Sequence, residues 1–220
     1  ASPTEVGVIS GFDTSEGMLV HGSLLVVGEN TISNPNMTIY DLSTTPAAPV
    51  KLSELTMPNA VVDMKIDGTR LYLAVTNGAY IYDISNPSSP QFLGAYIAPI
   101  GSSYRSIAVS GNLLMLAAPQ YLGLVDITDP ANPQFIKFVG LIGCFIESLT
   151  VRYPGVEAGC SDGHLHVVSI DNPSAAAIGG STYNGGVSRE KAYNNNTMLA
   201  AGGGQGFIIL KATIAYRVFL

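Results

Sequence analysis

One pattern recurs five times along this chain: an apolar run that stops at a polar residue and a turn. It reads MTIYDLSTTPAAP at Met37–Pro49, AYIYDISNPSSP at Ala79–Pro90 and LGLVDITDPANP at Leu122–Pro133. It returns as LHVVSIDNPSAA at Leu165–Ala176 and, degraded, as GFIILKAT at Gly206–Thr213. With Asp41, Asp83, Asp126, Ser169 and Leu210 taken as equivalent, the steps are 42, 43, 43 and 41 residues. A period of that length, with turn signals between short alternating strands, is the signature of a β-propeller blade.

The expected fold is therefore all-β, a five-bladed β-propeller of four-stranded blades. Blade one covers 15–59, blade two 60–102, blade three 103–144 and blade four 145–186, with 187–213 supplying three strands of blade five. Residues 2–14 share Ser-Pro, two variable residues, an apolar residue and Gly with Ser89–Gly94. That is the pattern of a blade's last strand, appearing before any blade has begun. The N-terminal strand is thus expected to join the last blade and close the ring, which protects edges that would otherwise stay open. A sixth blade would need a sixth copy of the punctuation. The tail 214–220, IAYRVFL, has no counterpart in the other blades; it reads as an extra outer strand on its own blade, a linker to another domain, or a segment that docks on another subunit as an augmentation strand.

Turn chemistry supports this register. Asp67-Gly68-Thr69, Ser110-Gly111-Asn112 and Asn194-Asn195-Asn196 fall at one point, between first and second strands. Gly and Asn accept the positive φ that tight hairpins demand. No window carries helical periodicity with caps, so helix is expected to be nearly absent.

Composition narrows the function classes. Charged residues make up only 12% of the 220 and hydrophobic ones 47%, which suits sheets buried on both faces. A net charge of −6 speaks against a nucleic-acid partner, which needs a basic footprint. No apolar run approaches the ~20 residues of a membrane span. The chain opens on Ala1 without a charged n-region, as a mature exported chain or a trimmed one does. Sequons at Asn36 and Asn195 are compatible with export.

The repeat resembles the LVIVD family of cell-surface propeller repeats. The residues that carry the likeness are Tyr82-Asp83-Ile84-Ser85-Asn86-Pro87, Val125-Asp126-Ile127-Thr128-Asp129-Pro130 and Ser110-Gly111-Asn112. The resemblance implies a propeller in bacterial or archaeal extracellular or periplasmic proteins. It brings no catalytic motif, so it assigns no functional residue.

In a propeller the first strand of each blade lines the central channel, and ligands bind at one mouth. Aligning first strands by their turns gives a column of Glu16, Val62, Arg105, Glu147 and Arg189, followed by Gly17, Asp63, Ser106, Ser148 and Glu190. In so uncharged a chain, the cluster Glu16, Asp63, Arg105, Glu147, Arg189 and Glu190 is the candidate ligand-binding site. Two readings fit it: a polar pocket for a sugar, peptide or ion, or Glu–Arg pairs that close the channel. A glycosidase would need two carboxylates set apart in pKa and distance, and such sites favour Trp platforms, of which the chain has none.

The recurrent Asp41, Asp83 and Asp126 are expected to cap backbone donors of the following turn rather than to act as catalytic acids. His164 and His166 lie two apart on a strand and share a face, a weak metal signal with no third ligand nearby in sequence. Cys144 and Cys160 come to the same end of one hairpin, some five residues out of direct opposition; a disulfide and two buried free thiols both remain open. Gly202–Gly206 resembles a phosphate loop in composition only, because a strand follows it.

The expected function is a non-catalytic structural or binding module, exported to the periplasm, cell surface or medium. It would meet protein partners or copies of itself in an assembly, and need no cofactor. The alternative is a glycan-binding or glycan-cleaving domain at the channel mouth.

Overall fold

The computed structural model describes residues 8–12, 15–31, 33, 35–44, 47–98, 103–183, 189–194, 197–201 and 207–211. The chain divides into two compact units: 1–116 with 125–135, and 117–124 with 136–220. Both are all-β, and the only helical element among the described residues is a single 3₁₀ turn at Pro173–Ala175. No helix there is long and apolar enough to cross a membrane.

The first unit contains two four-stranded antiparallel sheets in sequential order. One comprises β1 (Ser15–His21), β2 (Leu24–Glu29), β3 (Asn36–Asp41) and β4 (Val50–Thr56). The other comprises β5 (Val61–Asp67), β6 (Arg70–Val75), β7 (Gly78–Asp83) and β8 (Gln91–Ile97). β9 (Ser106–Ser110) follows. The first-to-second hairpins turn at Gly22, Gly68 and Gly111, with φ of 58°, 59° and 56°. These are the left-handed positions that the Gly-containing turns called for. Asn195 and Asn196 of the corresponding turn near the C-terminus lie outside the described residues.

Burial follows position within a sheet. In the first unit the second strands β2 and β6 are buried on both faces, whereas most residues of the fourth strands β4 and β8 are exposed or half-buried. This explains why the second strands read as unbroken apolar runs such as LLVV and LYLAV. Met37, Ile39 and Val26 of the first sheet pack with Val61, Met64, Leu71 and Leu73 of the second in one core. The approach is close enough that a Cβ on Gly28 would lie 2.5 Å from Val61 Cγ1, so only glycine fits there.

β10 (Leu113–Asp126) is continuous over the lengths expected of a blade's second and third strands. Its two ends meet, because the Ile127 amide donates to the Asn112 carbonyl at 2.8 Å. Gln120, with φ of 65°, stands at its midpoint and takes the place of the glycine such a turn usually has.

β11 (Gln134–Arg152), which belongs to the second unit from Ile136 on, pairs antiparallel with β12 (Gly155–Cys160), and β13 (His164–Ser169) and β14 (Ala177–Tyr183) follow in the order β14-β13-β12-β11. β15 (Arg189–Asn194), β16 (Thr197–Ala201) and β17 (Phe207–Lys211) form a three-stranded sheet. These sheets are open and not closed into a barrel.

Of the expected closing strand 2–14, residues 8–12 are described and form no strand. Ile9 and Phe12 pack on Leu25, Val27 and Tyr40 of the first sheet, with the Phe12 and Tyr40 rings edge to face at 6.4 Å. The remainder of 2–14, and the tail 214–220, lie outside the described residues.

Candidate functional site

Three of the five residues in the column aligned in the sequence, Glu16, Val62 and Glu147, share one backbone feature. Between β1 and β2 the register steps from Ser15↔Glu29 to Gly17↔Gly28, leaving Glu16 as an extra residue. Between β5 and β6 it steps from Val61↔Val75 to Asp63↔Ala74, leaving Val62. Between β11 and β12 it steps from Ile146↔Cys160 to Ser148↔Gly159, leaving Glu147. Each is a one-residue β-bulge, the device that bends a strand and re-aims a side chain. β15 departs from the pattern: Arg189 and Glu190 pair regularly with Ala201 and Ala200, and its irregularity lies next to the hairpin.

The residue after the bulge performs the visible work in the first unit. Asp63 Oδ2 accepts the Ser106 hydroxyl at 2.8 Å and the Ile107 amide at 3.0 Å, while Oδ1 accepts the Met64 amide at 2.8 Å. The Lys65 ammonium lies 3.8 Å from Oδ1. Asp63 thus stitches β5 to β9 through charge-assisted hydrogen bonds, and its two partners on β9 are buried. Arg105, one residue before β9, is exposed. Glu147 is half-buried on β11 in the second unit, where its neighbour Ser148 has a buried hydroxyl with no hydrogen-bond partner among the described residues. The backbone alone places Glu16 on β1 and Arg189 and Glu190 on β15. Within the first unit, then, one candidate carboxylate is tied to the next strand.

Asp41, Asp83 and Asp126 act as the repeat implied. Each accepts the backbone amide two residues on: Ser43 at 2.8 Å, Ser85 at 2.7 Å and Thr128 at 2.8 Å. The bonds from Ser43, Ser85 and Thr128 hold all three carboxyls below the usual aspartate range.

The second unit closes the disulfide between Cys144 and Cys160, with Cα atoms 5.2 Å apart. The expected five-residue offset is corrected by the register. β11 extends through Cys144; the tight turn sets Arg152 opposite Gly155, and the bulge at Glu147 advances the pairing by one further residue, so that Cys160 faces Ile146. Cys144 is then two residues from that partner, within disulfide reach.

His164 and His166 do share a face, with rings nearly parallel and centroids 5.9 Å apart. His164 Nδ1 lies 2.9 Å from Asp162 Oδ2. His166 turns to the sulfurs: one ligand atom each from Cys144, Cys160 and His166 falls within 4.8 Å of the others. The further potential ligands are the cysteine pair, which the fold of β12 against β13 brings to His166. Burial and the neighbouring His164 push the His166 imidazole below its ordinary value, against the pull of Asp162.

A buried ion pair went unseen in the sequence. Arg152 Nη1 meets Glu157 Oε1 at 3.1 Å across the β11–β12 hairpin, with side chains 6% and 2% exposed. Burial raises the Glu157 carboxyl despite the guanidinium beside it. The available signal was two opposite charges flanking a tight Tyr153-Pro154 turn.

Exposed apolar side chains mark β11. Ile142 is 91% exposed, and Phe138 and Phe145 are exposed beside it in sequence. Tyr121 is also exposed and lies with its ring 6.0 Å from that of Phe138.

Comparison with known proteins finds a known repeat in part of the chain. Residues 60–98 and 101–139 each match the LVIVD repeat, so the chain carries two adjacent copies of it. No curated protein sequence matches the chain. Among solved structures, Raptor from Chaetomium thermophilum is similar with a TM-score of 0.75 at 14% identity, over 99% of this chain and 22% of its own. This chain therefore spans about a fifth of Raptor's length. A functionally unknown protein from Desulfotomaculum acetoxidans gives a TM-score of 0.76 at 13% identity, over 96% of this chain and 72% of its own. The computationally designed Ika8 protein gives 0.60 at 13% identity, over 90% and 71%. At such identities the likeness is one of fold.

Proposed function

We propose that this LVIVD-repeat chain is a non-catalytic five-bladed propeller module of an exported protein, and that it works as a subunit of a larger extracellular or surface assembly. The ring would have four strands per blade and be closed by the N-terminal segment on the last blade. The two matched repeats and the two sequentially ordered four-stranded sheets support that architecture. The disulfide supports an oxidising compartment.

The observation that carries the assembly reading is the apolar exposure on β11. A strand that presents Phe138, Ile142 and Phe145 to water, beside Tyr121, has the composition of a surface made to be covered. The commitment of Asp63 to Ser106 and Ile107 supports a framework role over a carboxylate waiting for a sugar.

Light scattering with native mass spectrometry tests the proposal. Native material is expected as a complex or a multiple of the 23.0 kDa chain. Phe138→Ser with Ile142→Ser is expected to return it to monomer with strand content unchanged. A native monomer that binds glycans on an array, and loses that binding in an Asp63→Asn variant of unchanged stability, would establish the glycan reading instead.

A further inference from the structure

We propose that Cys144, Cys160 and His166 form a redox-gated site for a soft cation, Zn²⁺ being the reference ion, which opens when the disulfide is reduced. In the oxidised chain the sulfurs are bonded to each other. Neither is then a thiolate, the form that binds metal. The ligand set is nonetheless already assembled: both Sγ atoms and an imidazole nitrogen lie within 4.8 Å of one another. Sulfurs and nitrogens around a tetrahedral zinc sit about 2.0–2.3 Å from the ion, so ligand atoms this close need only small side-chain rotations to surround it.

Strand pairing by itself places two of the three ligands, Cys160 and His166. Cys160 pairs with Ile146 on β11, and Ala158 pairs with His166 on β13. Strand alternation then puts Cys160 and His166 on one face of the sheet. A second observation points to a ligand: His166 Nδ1 is buried and has no hydrogen-bond partner among the described residues. A buried ring nitrogen without a partner is what a metal or a proton donor would satisfy. Two thiolates and one imidazole select Zn²⁺ or Cu⁺ over hard cations, and leave a fourth position for water or an incoming ligand.

The chemistry balances. A dithiol donor delivers two electrons and two protons to the disulfide and leaves as its own disulfide, giving two cysteine thiols. Zn²⁺ then displaces both thiol protons as the two Zn–S bonds and the Zn–N bond form.

The test uses the full chain, reduced with a phosphine, freed of reductant without air and titrated with Zn²⁺ against a chromophoric chelator. One ion per reduced chain is expected, with none retained by the oxidised chain. His166→Ala is expected to weaken binding by more than about tenfold, the lower end of what even outer-shell partners are worth. In the same samples bound zinc should shield both thiols from alkylation, read by mass spectrometry. Equal affinity in His166→Ala, or equal binding by the oxidised chain, would overturn the proposal. So would a reduced chain that loses its β-sheet circular dichroism and binds no zinc.

Discussion

Replacing Asp63 with alanine separates a stitch between strands from a pocket carboxylate. The side chain accepts two donors from β9, Ser106 Oγ at 2.8 Å and Ile107 N at 3.0 Å, and both residues are buried. A hydrogen bond to an ionised acceptor contributes about 1.5–3 kcal/mol, and a buried donor left without its acceptor costs about 1–3 kcal/mol. Asp63 is 26% exposed, so water can reach part of the vacated site and the lower end of each range applies. The expected loss is about 3–4 kcal/mol, a large share of the 5–15 kcal/mol that holds a typical domain. Ser106→Ala removes one bond and no backbone donor, and should cost about 1–1.5 kcal/mol. Because the two side chains share that bond, the double variant should be less destabilised than the sum by about 1 kcal/mol. The assay is urea unfolding followed by tyrosine fluorescence, since the chain has eleven tyrosines and no tryptophan. An Asp63→Ala variant within about 0.5 kcal/mol of the parent, the range of an ordinary surface change, would refute the stitch.

Other consequences follow from the same geometry. A Cβ on Gly94 would lie 2.9 Å from Ala131 Cα and closer still to the Pro130 carbonyl oxygen, so Gly94→Ala must push backbone aside. It should cost about 1–3 kcal/mol in the urea midpoint, as overpacking does. Glu157 is raised above its ordinary 4.5, so between the two values the folded chain holds more protons than the unfolded one. Its contribution to stability therefore falls as pH climbs through that window. Glu157→Gln should flatten the slope of stability against pH there, whatever it does to the absolute level. Cys144→Ser with Cys160→Ser opens a link between residues 16 apart and should lower unfolding stability by about 3 kcal/mol, seen as a lower melting temperature than that of the oxidised parent.

What could be read from the sequence was whatever the repeat states more than once. Asp41, Asp83 and Asp126 recur at a strand end, so their shared task of holding the next turn was visible before any coordinate. Gly22, Gly68 and Gly111 recur at a hairpin, and their positive φ followed. The bulge was half legible: aligning the turns found the column Glu16, Val62 and Glu147, but nothing in those dissimilar side chains announces an extra residue in the ladder. A bulge is a backbone event that tolerates many side chains, and a pattern of residue types cannot register it. Unique features were the least legible. The Arg152–Glu157 pair occurs once, and the cysteine offset depends on the turn that sets Arg152 opposite Gly155 and on a bulge that advances the pairing by one more residue.

The two units hold equivalent positions by different means, and this is where the fold leaves room for function. After the bulge in the first unit, an aspartate ties one strand to the next; at the matching place in the second, the Ser148 hydroxyl is buried without a partner among the described residues. The β11–β12 hairpin instead carries a disulfide and a buried ion pair within a few residues of each other. A hydrogen-bonded stitch involves no redox chemistry, whereas a disulfide answers to redox poise and the buried Glu157 carboxyl to pH. The repeat thus keeps its geometry while exchanging a constitutive tie for conditional ones. The hairpin that carries the conditional ties, β11–β12, includes the strand whose phenylalanines and Ile142 face water. A chain whose only need was rigidity would gain nothing from concentrating its redox-sensitive and apolar features on one strand. Their coincidence on β11 makes that strand the part of the molecule where a change of compartment and a change of partner can be felt together.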